Sequence, residues 1–190
     1  MRVIAGAHRG RRLTGPQSDS LRPTSDRVRE ALFSILGTRI RGARVLDLYA
    51  GTGAVGIEAL SRGAAHVTFV ESSPAAQRVL QTNLDRCALD DKAQVRSCRV
   101  EQFLRRLAPD LAPFDVVFAD PPYAADEELR TLFMLLGRVI LADQSIIVLE
   151  HAKRARIPET LGGVAAARRY EYGDTCLSVF RTADGGSLSS

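Results

Sequence analysis

The chain has 190 residues, enough for one full-sized domain with a short extension and too few for two ordinary domains. Hydrophobic residues make up 45% and charged residues 25% of it, the composition of a soluble globular protein. The sequence contains neither an apolar run long enough for a transmembrane helix nor an N-terminal stretch typical of a signal peptide. Its three cysteines are odd in number and widely spaced, so we predict reduced thiols, no metal and a cytoplasmic location.

Positive charge is concentrated at the N-terminus. Residues 1–44 contain ten arginines and three acidic residues, a balance of +7 against +4 for the whole chain. A basic segment on a mildly acidic body is typical of proteins that bind a polyanion such as a nucleic acid. A merely solvated basic surface is the alternative interpretation.

The first elements in chain order are a hairpin, a loop and a helix. Residues 2–13 alternate loosely and include two glycines, which favours a small hairpin. Residues 14–20 are rich in turn-forming types and indicate a loop. Thr24, Ser25 and Asp26 offer N-cap side chains for an amphipathic helix that ends at Gly37.

From residue 44 onward, short apolar strands alternate with helices. The predicted strands are 44–49, 66–71, 94–98, 114–119 and 145–150, and the predicted helices are 54–62, 74–87, 101–107 and 127–136. Nearly all-apolar strands in this order indicate a parallel, doubly wound α/β sheet with helices on both faces. Residues 167–172 and 175–182 flank Gly173-Asp174 and predict a final antiparallel hairpin, followed by a frayed tail.

A glycine-rich loop follows the first of these strands. Gly51, Gly53 and Gly56 match G-x-G-x-x-G, a pattern that by itself does not identify the bound cofactor. Asp47 would repel a pyrophosphate but suits a cationic ligand such as S-adenosylmethionine, which carries an ammonium and a sulfonium. A structural role for Asp47 as a cap of the loop is the alternative. Glu71 ends the next strand, where a carboxylate can accept hydrogen bonds from ribose hydroxyls.

The tetrapeptide Asp120-Pro121-Pro122-Tyr123 follows the strand at 114–119 and therefore faces the same crevice as the glycine loop. Two prolines stiffen the backbone and remove two N–H donors, which leaves the Asp120 carboxylate and the Pro121 carbonyl as acceptors. Acceptors on the two hydrogens of an exocyclic amine direct its lone pair toward a methyl donor, and Tyr123 offers a face for base stacking. The motif therefore predicts methylation of a base amine: adenine N6, cytosine N4 or guanine N2.

These motifs resemble those of known enzymes. DPPY resembles the [DNS]-P-P-[YFW] signature of amino-methyltransferases, and DLYAGTGAVGIEAL resembles their cofactor loop. Residues 2–13 and 21–30 resemble the RsmD family, which methylates N2 of a guanine in bacterial 16S ribosomal RNA. The likeness covers residues 1 to about 182. It implies a Rossmann-like class I methyltransferase fold, with a seven-stranded, mostly parallel sheet whose last strand is antiparallel.

The resemblance also implies separate roles for different segments of the chain. We expect an RNA-binding extension at 1–22, the methyltransferase domain at 23–182 and a flexible tail at 183–190. The residues expected to contact the cofactor are Thr24, Asp47, Tyr49, Gly51, Thr52, Gly53, Glu71, Ser72, Arg99, Val100 and Asp120. Those expected to act on the base are Asp120, Pro121, Pro122 and Tyr123, and those expected to bind RNA are Arg2, His8, Arg9, Arg11, Arg12 and Arg22. The expected partner is ribosomal RNA, within the small subunit or an assembly intermediate, and the expected state is a monomer.

One position departs from the family pattern. Arg99 stands where an acid usually lies near the adenine amino group, so we assign that contact to the Val100 backbone or, one residue on, to Glu101.

Two other classes of protein agree less well with the sequence. A nicotinamide-dependent oxidoreductase would leave Asp47 and the paired prolines unexplained and would lack a Tyr-x-x-x-Lys pair. A non-catalytic RNA-binding module would have no need of both an intact glycine loop and an intact DPPY motif.

Overall fold

The computed structural model describes residues 1–15, 25–107, 113–121, 141–157, 160–161 and 164–181. The helices in these ranges are α1 (Asp26–Leu36), α2 (Ala54–Ser61), α3 (Pro74–Cys87) and α4 (Val100–Arg105), with short 3-10 turns at Gly37–Ile40 and Asp90–Lys92. The strands are β1 (Arg44–Leu48), β2 (His66–Glu71), β3 (Ala93–Ser97), β4 (Phe114–Ala119), β5 (Leu141–Ala152), β6 (Thr160–Leu161), β7 (Val164–Tyr172) and β8 (Thr175–Arg181). The helix predicted at 127–136 lies outside the described residues.

The strands form one sheet in the order β3-β2-β1-β4-β5-β8-β7-β6. Strands β1 to β5 are parallel, and β8 runs antiparallel between β5 and β7. The predicted fold, a doubly wound sheet with an antiparallel last strand, is therefore confirmed. An eighth strand, β6, adds two residues at the edge beside β7.

The inner strands β1, β2 and β4 are mostly buried on both faces, as their apolar sequences predict, whereas the edge strand β3 is half-buried to exposed. Val45 of β1 belongs to a cluster with side chains of α1, α2 and α3, whereas Leu46 and Leu48 belong to a second cluster that includes Val100 and Leu104 of α4. The alternation of successive side chains between the two faces of a strand explains this division. It also places Asp47 on the same face as α2.

Helix α1 begins and ends where its sequence indicates. The Ser25 hydroxyl accepts a hydrogen bond from the Val28 N–H at 3.2 Å, and the helix stops at Gly37, whose φ of 55° suits glycine. Its buried residues include Val28, Leu32 and Leu36, one turn apart on one face.

Strand β5 is longer than predicted. Instead of 145–150 it covers Leu141–Ala152, with a register shift against β4 and a positive φ of 60° at Gln144. The polar pair Asp143-Gln144 interrupts the apolar pattern at this irregularity, so the sequence gives no strand signal before Ser145.

We call residues 1–14 the N-terminal arm. The predicted hairpin takes the form of a single antiparallel bridge between Arg2 and Arg12, which closes the turn between them. Val3 and Leu13 are buried in the cluster that contains α1 and α2. The arm is therefore packed against the body of the protein and does not project from it.

The three cysteines differ in burial. Cys87 and Cys176 are buried, Cys98 is half-buried, and all three are free. None of the helices in the described ranges is long and apolar enough to cross a membrane.

Candidate cofactor and nucleic-acid site

The carboxyl ends of four parallel strands meet at one edge of the sheet. Leu48 is paired with both Val70 and Ala119, and Glu71 is paired with Ser97. The segments that follow these strands therefore lie side by side: 49–53, 72, 98–100 and 120–121. Most of the residues predicted to contact the cofactor are thus brought together, as the topology of an open α/β sheet requires.

The glycine loop fits closely against neighbouring elements. Gly53 has a φ of 77° and directly precedes α2, and a Cβ there would lie 2.1 Å from Leu80 Cδ1. A Cβ at Gly56 would lie 2.2 Å from the ring of Phe69 in β2. These two glycines are therefore required for close packing, the first against α3 and the second against the sheet. At Gly51, by contrast, a Cβ would meet nothing closer than Tyr49 O at 4.0 Å among the described residues.

Asp47 is buried behind the loop. Its exposed fraction is 1%, and its Oδ2 accepts a hydrogen bond from the Gly56 N–H at 3.0 Å. Burial raises the pKa of this carboxyl to about 7; the Gly56 N–H opposes the shift and the nearby Glu71 adds to it. The carboxyl therefore has the structural role that the sequence left open, joining β1 to the first turn of α2. Its contact with a cofactor stays a prediction.

The Glu71 carboxylate joins the glycine loop to α3. One oxygen accepts a hydrogen bond from the Gly51 N–H at 2.7 Å and the other from the Ser73 N–H at 2.7 Å. The Ser73 hydroxyl in turn caps α3. Each carboxylate oxygen can accept two hydrogen bonds, so the capacity to bind ribose hydroxyls remains. Ser72, between these residues, is exposed.

The predicted adenine-binding residues lie at the start of α4. Arg99 is exposed and occupies the N-cap position, whereas the Val100 side chain is buried in the second cluster. Glu101, the alternative adenine ligand, accepts a hydrogen bond from Arg105 Nε at 3.0 Å on the exposed side of the helix. The adenine contact of the Val100 backbone, or alternatively of Glu101, stays a prediction.

The DPPY motif begins directly after β4. Asp120 is half-buried and Pro121 is buried. Since Ala119 is paired with Leu48, these two residues lie beside the start of the glycine loop. The other predicted site residues, Thr24, Arg22, Pro122 and Tyr123, lie outside the described residues.

The backbone of the N-terminal arm is held by α2. The fully buried carboxylate of Glu58 accepts hydrogen bonds from the Ile4 and Ala5 N–H groups at 2.7 and 2.9 Å and from Arg62 Nε at 2.7 Å. The Ser61 hydroxyl accepts from the His8 N–H at 3.0 Å and donates to the Ala5 carbonyl at 2.6 Å. The arm is thus docked on the helix whose amino end carries the glycine loop.

The charged side chains of the arm face outward. Arg2, Arg9, Arg11 and Arg12 are exposed and His8 is half-buried. Arg11 Nη1 donates to the Arg86 carbonyl of α3, while the exposed Arg86 donates to the Thr14 hydroxyl at 2.7 Å. We call Arg2, Arg9, Arg11, Arg12 and Arg86 the arginine surface.

Sequence reasoning missed several buried polar residues that position the site. Arg29 is fully buried in α1, and its Nη2 donates to the Arg2 carbonyl at 2.6 Å and to Asp26 at 3.0 Å. Arg29 lies three, four and seven residues before the buried Leu32, Phe33 and Leu36, so helical periodicity places it on the buried face although its side chain is charged. Glu58 could have been noticed, because it is the one charged residue in the otherwise apolar sequence of α2.

Comparison with known proteins gives a consistent result. Residues 1–181 match the model of a family described as Conserved hypothetical protein 95. The chain is 37% identical to YlbH of Bacillus subtilis over 182 residues, which cover 95% of this chain and 98% of that one. It is 36% identical over 181 residues to the Ribosomal RNA small subunit methyltransferase D of Escherichia coli, covering 90% and 89%. The solved structure of Escherichia coli yhhF superposes with a TM-score of 0.81 at 35% identity, covering 95% of this chain and 97% of that one.

Proposed function

The chain belongs to the family described as Conserved hypothetical protein 95, and we propose that it transfers a methyl group from S-adenosylmethionine to N2 of a guanine in 16S ribosomal RNA. The observation that carries this proposal is the pairing of Leu48 with Ala119, which sets the Asp120-Pro121 start of the DPPY motif beside the glycine loop. The relative in Escherichia coli is named for methylation of the small ribosomal subunit, which supports this choice of RNA.

The described residues fit this cofactor. Among the described residues, a Cβ at Gly51 would meet nothing closer than Tyr49 O at 4.0 Å. Asp47 and Glu71 accept hydrogen bonds from the Gly56 and Gly51 N–H groups, and residues 47–56 include no basic side chain that could bind a pyrophosphate. S-adenosylmethionine, when bound, supplies a methyl group activated by a sulfonium. Glu71 would accept hydrogen bonds from its ribose hydroxyls, and Asp47 would favour its cationic end when ionised.

The DPPY motif then acts on the base. The Asp120 carboxylate accepts one hydrogen of the guanine amine and the Pro121 carbonyl accepts the other, so the nitrogen lone pair points away from both acceptors. Positive charge that develops on this nitrogen is stabilised by the same two oxygens. Tyr123 holds the base by stacking, and the methylated amine loses its extra proton to solvent without a dedicated strong base.

The arginine surface binds the RNA backbone in this proposal. Four of its five arginines are exposed on the arm, whose backbone N–H groups at Ile4 and Ala5 donate to Glu58, and the fifth, Arg86, is exposed on α3. Contacts with RNA phosphates offset the cost of a few kcal/mol for flipping the target base out of its stack. We further propose that the protein acts as a monomer in the cytoplasm, on the small subunit or an assembly intermediate.

The activity is tested by mass spectrometry of 16S rRNA nucleosides from cells with and without this protein. We expect N2-methylguanosine at one position to disappear on deletion and to return when the wild-type gene is restored. The Asp120→Ala variant should fail to restore it. Loss of a methyl group from adenine or cytosine instead would contradict the choice of base.

The arm is tested by the salt dependence of RNA affinity. Each phosphate contact contributes a slope of roughly −0.7 to −0.9 to a plot of log affinity against log salt concentration. The double variant Arg9→Ala/Arg12→Ala should therefore flatten the slope for a 16S rRNA transcript by about 1.5. The matched control is Arg39→Ala/Arg41→Ala, which removes two exposed arginines outside the arm. Equal slopes for the wild type and the arm variant would exclude Arg9 and Arg12 as phosphate contacts.

A further inference from the structure

Asn83 makes a set of contacts that neither the glycine loop nor the DPPY motif explains. It lies in α3, and its side chain is fully buried. Its Oδ1 accepts a hydrogen bond from the Thr14 N–H at 2.8 Å, and its Nδ2 donates to the Thr14 carbonyl at 3.1 Å and to the Thr52 carbonyl at 3.0 Å. Because one partner is an N–H and two are carbonyls, the orientation of the amide is determined by its surroundings.

Thr52 is the middle residue of the Gly51-Thr52-Gly53 turn and is buried. The same turn rests on Leu80, one helical turn before Asn83, since a Cβ at Gly53 would overlap Leu80 Cδ1. Residues three apart lie on the same face of a helix. One face of α3 therefore supports the cofactor loop through an apolar contact at Leu80 and a hydrogen bond from Asn83.

Thr14 is the last residue of the N-terminal arm. Both of its backbone polar groups are paired with Asn83, and its hydroxyl accepts a hydrogen bond from Arg86. The preceding residues Arg11 and Arg12 belong to the arginine surface. A single buried amide therefore lies between the segment proposed to bind RNA and the segment proposed to bind the cofactor.

We propose that Asn83 is a positioning residue that couples the arm to the cofactor loop, so that RNA and cofactor each strengthen the binding of the other. The proposal rests on the function proposed above. Phosphate contacts that hold the arm in its docked position also hold Thr14 against Asn83, and this keeps the amide oriented toward Thr52. Since coupling between two ligands is reciprocal, the cofactor must increase RNA affinity by the same factor.

The first test measures cofactor affinity without RNA. Calorimetry with S-adenosylhomocysteine should show a dissociation constant at least tenfold higher for Asn83→Ala than for the wild type, because the hydrogen bond from Asn83 to the Thr52 carbonyl is lost. The matched control is Gln81→Ala, which removes an exposed amide of the same helix that donates hydrogen bonds to Asp85 and Asp90. An unchanged dissociation constant for Asn83→Ala would overturn the role of Asn83 in the loop.

The decisive test measures coupling. The affinity of S-adenosylhomocysteine is determined with and without a saturating 16S rRNA transcript, for the wild type and for Asn83→Asp. Aspartate has the same shape and still accepts from the Thr14 N–H, but its carboxylate cannot donate to either carbonyl. We expect RNA to lower the dissociation constant about fivefold or more in the wild type and by less than twofold in the variant. If the substitution only destabilised the protein, the melting temperature would fall, but the ratio of the dissociation constants without and with RNA would equal that of the wild type.

Two results would overturn the proposal: the same ratio in Asn83→Asp and in the wild type, or a wild-type ratio of one. Neither result depends on methylation. If the transcript binds with a salt slope that the arm variant flattens and yet shows no coupling, the inference about Asn83 fails while the function of the arm stands. If the slope is not flattened, the proposed RNA-binding role of Arg9 and Arg12 fails.

Discussion

The buried carboxyl of Asp47 makes the stability of this protein depend on pH in an unusual direction. Burial raises its pKa to about 7, so the folded state retains a proton that the unfolded chain releases near its ordinary value of 3.8. Between these two pH values the folded protein binds more protons than the unfolded one. The contribution of Asp47 to stability is therefore fully present at low pH and is lost as the pH rises toward about 7.

The size of the effect follows from the shift. Each pH unit between the two pKa values changes the free energy of unfolding by about 1.4 kcal/mol. About two pH units separate pH 5 from the folded pKa of about 7, so raising the pH from 5 to 8 should lower the free energy of unfolding by roughly 3 kcal/mol. Asp47→Asn is neutral at every pH and keeps an oxygen that can accept from the Gly56 N–H, so it removes the titration and retains the contact.

The assay is urea denaturation of the wild type and Asp47→Asn at pH 5, 6, 7 and 8. Other titrating groups are common to both proteins, so the difference between their free energies of unfolding isolates Asp47. We expect the wild type to lose roughly 3 kcal/mol relative to the variant across this range. The exposed carboxylate variant Asp91→Asn controls for removal of one charge. A difference between Asp47→Asn and the wild type that is constant from pH 5 to 8 would show that burial does not raise this pKa.

Three further variants test the site and the arm. Glu71→Ala should raise the dissociation constant for S-adenosylhomocysteine, measured by calorimetry, about tenfold or more. The variant loses both the ribose contacts and the hydrogen bond that the carboxylate accepts from the Gly51 N–H. An unchanged dissociation constant would contradict the ribose assignment. Asp120→Ala should lower kcat roughly 100-fold with cofactor affinity within a few-fold, whereas a raised KM with unchanged kcat would refute amine activation. Gly6→Ala should lower the free energy of unfolding by about 1–3 kcal/mol more than Gly10→Ala. The Cβ added at Gly6 would lie 1.8 Å from the Ser61 carbonyl oxygen, whereas at Gly10, which has a similar positive φ, no described atom lies within 4 Å. Equal thermal stabilities of the two variants would contradict this expectation.

Several elements could be predicted from the sequence because local chemistry determines them. Helix α3 was predicted at Pro74–Cys87 and begins and ends there, since proline suits the first turn and Ser73 supplies the cap. Strands β2 and β4 likewise agree with their apolar runs. The edge of the sheet at which the glycine loop and Asp120 meet was predictable too, because parallel strands joined by right-handed crossovers bring their carboxyl ends together.

The partners of the buried polar groups could not be predicted. Nothing local to Glu58 indicates that it binds Ile4 and Ala5, and nothing local to Asn83 indicates that it joins Thr14 to Thr52. A buried amide or carboxylate must be hydrogen-bonded, but its sequence neighbours do not decide to what. The amino-acid sequence by itself determined the order of the elements, the antiparallel last strand and the edge of the sheet that carries the site. Only the tertiary structure decided how the N-terminal arm is joined to the cofactor loop, because those hydrogen bonds link segments that become neighbours only when the helices pack on the sheet.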